Sequence, residues 1–268
     1  MLLSVDHVTR YEYDRPVRGV VQSHRLTPSK FAGQRTISWN VSVSGGTMGG
    51  GFRDGAGDWV QAWSVAGPVS HIEVRVHGEV ETTDLAGVLK GSRESVSPEA
   101  YLRETPFTKF DPALHALGAA ALSEDILSSA HAMSASVSAA IAYRPGSTHA
   151  HTTAAEALAQ GEGVCQDHAH ALLALARSQG IPARYVSGYL QSSNDGMAHE
   201  AAHAWAELHV PGFGWIGFDP ANQCCPDERY IRLGSGLDAQ DAAPIRGVSR
   251  GPGIEKLLVT VAVQTQQQ

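Results

Sequence analysis

The stretch GEGVCQDHAHALLALARSQGIPARYVSGYL, residues 161–190, decides how the rest of the chain reads. Gly161 and Gly163 allow a turn that other residues would strain. Cys165 then falls at, or one residue inside, the start of a helix on which Ala169, Leu172, Leu173 and Ala176 share one face. Gly180 supplies the C-terminal cap and Pro182 stops the helix, after which ARYVSGYL reads as a strand. A thiol at a helix start meets unpaired backbone N–H groups and the positive end of the helix dipole. Both favour the thiolate, which is the nucleophilic form. A free cysteine is more commonly a small buried structural residue. The glycine turn, the helix start and the partners downstream set this one apart.

Those partners lie in HAWAELHV, residues 203–210, and WIGFD, residues 215–219. Residues 211–214 make a tight turn between two strands, so the strands are antiparallel neighbours. The start of one is then beside the end of the other, and His203 is expected to meet Asp219. An imidazole oriented by a carboxylate and facing a cysteine fits nucleophilic acyl transfer.

Upstream, residues 8–13, 36–43, 58–65 and 71–80 alternate with a period of two and are bounded by Gly, Pro or Ser, the pattern of an antiparallel β-sandwich or barrel. The glycines between Gly45 and Gly57 read as a long flexible hairpin loop. Helix starts follow at Ser97-Pro98-Glu99, Asp111-Pro112, Ser123 and Thr153. The tail KLLVTVAV, residues 256–263, reads as a closing strand. The fold class is therefore α+β, with a β-sandwich-like domain over residues 1–95 and a catalytic domain over residues 96–268.

Composition bounds the partners. The 268 residues are 43% hydrophobic and 18% charged, which excludes a disordered chain. Twenty basic against 27 acidic residues leave a net charge of 20 − 27 = −7, so nucleic acid and anionic membranes are not expected as partners. Three cysteines, all in the second half, make no even disulfide framework and suit a reducing compartment. Charged residues interrupt the N-terminal MLLSVDHVTRYEYD, and no window is apolar enough to cross a bilayer. A soluble cytoplasmic protein is the expectation.

GVCQDHAHALLALARSQGIPARYVSGYL together with HAWAELHVPGFGWIGFDPAN resembles the transglutaminase-like superfamily, and within it the bacterial transglutaminase-like proteins described as cysteine proteases. The likeness extends to the opening LLSVDHVTRYEYDRPV and to residues 231–251. It implies a papain-like core, with a cysteine-bearing helix packed on an antiparallel sheet. It also implies a triad on Cys165, His203 and Asp219. Two departures stand out: His168 occupies a position that is usually aromatic, and Cys224-Cys225 follows the Asp-Pro-Ala-Asn stretch.

Other positions carry weaker signals. The backbone N–H of Cys165 is one oxyanion donor, and Tyr143 or Gln160 could add a side-chain donor. Asp167 in the first helical turn reads as a cap, and Asn222 as a support for the Asp219 loop or an ordinary turn residue. The thirteen histidines invite a metal reading. However, His168 and His170 are two apart on a helix and point away from each other, and the zinc and calcium ligand spacings are absent. No metal and no cofactor is expected, and Cys224 and Cys225 read as small core residues.

The substrate class is then a peptide, isopeptide or other amide. With water as the second substrate the protein is a protease or amidase; with an amine it is a transglutaminase. The rival from another class is a binding or scaffold module that keeps the fold without catalysis. The N-terminal β-domain could shape the cleft or mediate association into a homo-oligomer.

Overall fold

The computed structural model describes residues 1–191 and 202–265. Four strands open the chain: β1 (Leu2–His24), β2 (Gln34–Val43), β3 (Gly46–Arg53) and β4 (Trp59–Thr82). Along β1 buried and exposed residues alternate, which puts Leu3, Val5, Tyr11, Tyr13 and Val17 on one covered face. β1 and β4 pair antiparallel along nearly their whole length, with register shifts between Glu12 and Gly19. β2 pairs with one half of β4 and β3 with the other, giving the sheet two halves that meet where the ladder is irregular. The glycine-rich segment expected to be a flexible loop is largely strand β3. Its Gly51 lies against the Trp59 ring, where a Cβ would meet ring carbons at 2.3 Å. Tertiary packing overrides the low strand propensity of those glycines.

Residues 83–111 then cross the molecule, with a 3-10 turn at Pro98–Leu102. Four helices and two short strands follow: α1 (Pro112–Ala120), α2 (Ile126–Ala140), β5 (Ala142–Tyr143), α3 (Ala154–Gln160), β6 (Glu162–Gly163) and α4 (Cys165–Ser178). Asp111 and Thr153 cap their helices as expected, whereas Ser97 makes no side-chain cap bond and α2 is capped by Asp125, two residues after Ser123. Asp111 accepts from Ala113 and Leu114 N–H, Asp125 from Ser128 N–H, and Thr153 forms a capping box with Glu156.

The second sheet has the order β10-β7-β8-β9, from β7 (Ala183–Leu190), β8 (Ala202–Val210), β9 (Gly214–Phe218) and β10 (Tyr230–Gly236). All its pairings are antiparallel. α4 lies on one face, and Leu172, Leu173 and Leu175 are fully buried there with Ala204, Ala206 and Leu208 of β8. Each buried leucine contributes about 1.5–3 kcal/mol. Residues 87–89 run along the outside of β9, with Leu89 N–H bonded to Trp215 O and Gly217 N–H to Gly87 O, which covers that edge.

The chain ends with β11 (Ile245–Arg250) and β12 (Glu255–Thr265), which both pair with β1. A division after residue 95 would assign these strands to the second segment, yet their hydrogen bonds lie in the first sheet. The two layers also share a core, since Tyr189, Ile231 and Leu233 of the second sheet pack with the apolar residues of the first. No helix among the described residues is long and apolar enough to cross a membrane.

Candidate active site

Cys165 is the first residue of α4 and is half-buried. The turn that delivers it is tied down from several sides. Gly161 adopts φ 69°, which favours glycine, and bonds back to Ala157 and Leu158 as the cap of α3. β6 pairs in parallel with β5, setting Tyr143 opposite Gly163, two residues before the thiol. Asp167 Oδ2 accepts from Val164 N–H at 2.8 Å and from the Thr148 hydroxyl at 2.6 Å, so this buried carboxylate caps the helix. Both ring nitrogens of buried His168 lie on carbonyl oxygens, Val164 O at 2.9 Å and Ile141 O at 2.8 Å. The polar residue at the unexpected position thus stitches the first turn of α4 to the end of α2.

His203 stands near the start of β8 and Asp219 follows β9. The β8–β9 hairpin folds them together, with His203 Nε2 2.6 Å from Asp219 Oδ2. The carboxylate is fully buried and the imidazole nearly so. Cys165 on α4 neighbours the same imidazole closely enough to favour its protonated form. With Nε2–H given to the carboxylate, Nδ1 is the nitrogen left for sulfur. Burial opposes the charged imidazolium, but the hydrogen bonds of Asp219 and Cys165 and their negative charge outweigh it, and the His203 pKa is raised. Burial likewise pushes Asp219 up, and donors from His203, Asn222 and Tyr230 bring it below its usual range.

Asn222 donates its side-chain N–H to Asp219 Oδ2 at 2.7 Å and its backbone N–H to Oδ1 at 3.2 Å. Backbone bonds between Asp219 and Cys224, at 2.8 and 3.2 Å, close the loop. Tyr230, which sequence reasoning did not single out, donates its hydroxyl to Oδ2 at 2.8 Å. It begins a strand, YIRLGSG, whose alternation follows a Pro226-Asp227 turn. That was the available signal, and β10 was not among the expected strands. Trp205 stacks on His203 at 6.4 Å between ring centroids.

The remaining candidates separate. Tyr143 is beside the α4 start and exposed, with its ring 6.1 Å from that of His168. Gln160 is exposed at the end of α3. His170 accepts from Ala239 N–H at 3.1 Å, and burial with the nearby Arg177 pushes its pKa down to about 3. His149 accepts from His151 N–H. Among the described residues no group of three or more His, Cys, Asp or Glu could hold a metal ion. Cys224 and Cys225 are half-buried against the cores, and burial pushes both thiols up, Cys225 to about 11.

Residues 117–220 match the model of the transglutaminase-like superfamily, and residues 3–81 match that of the bacterial transglutaminase-like N-terminal region. An uncharacterized protein of Mycobacterium leprae is 31% identical over 279 aligned residues, covering 97% of this chain and 98% of that one. The chain belongs to the transglutaminase-like superfamily. A Pseudomonas aeruginosa protein-glutamine gamma-glutamyltransferase is 37% identical over 82 residues, which are 28% of this chain and 12% of that protein. A crystal structure from Cytophaga hutchinsonii, provisionally named a cysteine protease, superposes with a TM-score of 0.73 at 20% identity. It covers 100% of this chain and 92% of its own. The superposition spans both layers, and the transglutaminase-like protein has a thiol-enzyme fold.

Proposed function

We propose that the protein is a thiol acyl-transfer enzyme acting on a peptide, isopeptide or other amide, with Cys165 as nucleophile, His203 as acid and base, and Asp219 as the group that orients the imidazole. The observation that carries this reading is the buried His203–Asp219 pair, 2.6 Å apart, facing a thiol at a helix start. The raised pKa of His203 favours the imidazolium, the partner that a thiolate nucleophile at a helix start needs.

The Cys165 thiolate adds to the amide carbonyl carbon, forming a C–S bond as the carbonyl π electrons move to oxygen. The backbone N–H of Cys165 is the primary donor to that oxyanion. Tyr143, paired opposite Gly163 beside the α4 start, is better situated than Gln160 at the end of α3 to add a second donor. Collapse breaks the C–N bond, and the imidazolium proton passes to the leaving amine. This leaves a thioester and neutral His203. Water then gives a proton to His203 and its oxygen to the carbonyl, and cleavage of the C–S bond restores the ion pair.

Hydrolysis needs no second binding site, which favours a protease or amidase. Transamidation, with an amine in place of water, is the second reading, supported by the likeness to the Pseudomonas glutamyltransferase. Mass spectrometry of the intact protein after incubation with a peptide and amide library tests both. The expected result is an acyl adduct on Cys165, absent in Cys165→Ala, that water or an added amine discharges. No adduct with any activated ester or amide would instead identify a binding module on this fold.

A further inference from the structure

The Asp219 carboxylate is loaded unevenly. Donors from His203 at 2.6 Å, Asn222 at 2.7 Å and Tyr230 at 2.8 Å all converge on Oδ2, whereas Oδ1 takes the Asn222 backbone N–H at 3.2 Å. Tyr230 comes from β10, at the opposite edge of the sheet from β9. It reaches Asp219 past Gly188 of β7, where a Cβ would collide with the Ile231 carbonyl and the Trp205 ring. The Tyr230 ring sits edge-on to Trp205 at 5.5 Å and 6.0 Å from His203, so packing fixes the hydroxyl. Burial and the adjacent Asp219 charge hold that phenol in its protonated, donating form.

We infer that Tyr230 is a positioning residue that competes with His203 for Asp219 Oδ2, fixing the carboxylate and limiting how tightly it retains the imidazolium proton. The inference rests on the reading of Cys165, His203 and Asp219 given above. Its physical basis is charge sharing on one oxygen. When the imidazole is neutral, the carboxylate charge is less offset, and the Tyr230 bond is then at its strongest. The hydroxyl therefore stabilises the neutral-imidazole state more than the charged one. This matters because the two charged groups facing the imidazole, Asp219 beyond β9 and Cys165 on α4, both strengthen its hold on a proton that the leaving amine must receive. The other neighbours are neutral: Asn222, Trp205 of the same strand, Tyr230, and Cys224, whose sulfur lies 3.3 Å from the Tyr230 hydroxyl.

The test is the pH dependence of Cys165 alkylation by iodoacetate in the full chain. This reagent is an anion, so its rate falls on the alkaline side as the imidazolium loses its charge. Tyr230→Phe should move that alkaline limb upward by roughly half a pH unit or more, and should move nothing once Asp219→Asn is present. Site-specific 3-fluorotyrosine at position 230, a stronger donor that adds one small atom, should move it downward. A limb that stays in place or moves the other way in either variant overturns the inference. If Tyr230→Phe does not fold, the fluorotyrosine protein decides alone. A wild-type Cys165 that is not selectively alkylated would overturn the thiol-enzyme reading and this inference with it. A normal wild-type limb unchanged by both variants would overturn this inference alone.

Discussion

One sheet carries two buried charge clusters, and they behave differently. On β8, His203 belongs to the first cluster and Glu207, four residues on, to the second. Glu207 accepts from Arg184 at 2.6 Å and from Arg232 at 2.8 Å. Arg232 also bonds Asp58 at 2.6 Å and Ser29 at 2.7 Å, both from the N-terminal layer. Arg184 reaches Glu94 at 2.7 Å and lies over the Trp215 ring at 4.1 Å. Arginine does not release its proton at any accessible pH, so this cluster is a fixed tie between the layers. The first cluster contains a histidine between a carboxylate and a thiol, and its proton can move in either direction. Charge burial therefore serves fixation in one place and, on the proposed reading, proton transfer in the other.

Cys165→Ala is the most severe way to break the first cluster. Turnover and covalent labelling should vanish while the melting temperature stays near that of the parent. Next, Asp219→Asn should slow acylation by about 10²–10⁴-fold, because it removes the charge that orients and supports the imidazolium. Stopped-flow with an activated ester would measure it.

Arg232→Met attacks the second cluster, leaving Asp58 without its cation and Glu207 with Arg184 alone. It should cost about 3–5 kcal/mol in denaturant unfolding, yet leave Cys165 the preferred alkylation site in the folded fraction. A large loss of labelling with little loss of stability would erase the distinction between the clusters.

Stability against pH separates the clusters by sign. Burial pushes Glu207 up, but Arg232 and Arg184 dominate and hold it at about 2 rather than 4.5. The unfolded chain therefore takes up this proton first, and stability present above that ordinary range declines as the pH falls through it toward the folded value. His203 is raised instead, so its contribution is full below an ordinary histidine pKa of about 6.5 and is lost as pH rises through the folded value. Thermal melts of the parent and Glu207→Gln across pH should show a smaller acid loss in the variant. The smallest expected effect is that of Cys224→Ser, which should change Cys165 alkylation by less than about twofold, because its side chain bonds Tyr230 and its backbone bonds to Asp219 are kept.

Local chemistry made much of this legible. The α4 start, its caps and the β8–β9 hairpin follow from short-range signals, and they suffice to bring His203 to Asp219. What escaped depends on distance in sequence or on packing. Tyr230 reaches the carboxylate from the far edge of the sheet, on a strand that was not expected. Arg184 and Arg232 escaped because their partners Glu94 and Asp58 lie far upstream. β3 escaped because its glycines have no strand preference of their own, and contact with β4 supplies the order.

The central claim is that Cys165, paired with His203, is the activated thiol of this chain. Site-resolved labelling by iodoacetamide at neutral pH, read by peptide mass spectrometry, tests it directly. Cys165 should react at least about a hundredfold faster than Cys224 or Cys225, whose thiols burial pushes up. Equal rates at the three cysteines would contradict the account.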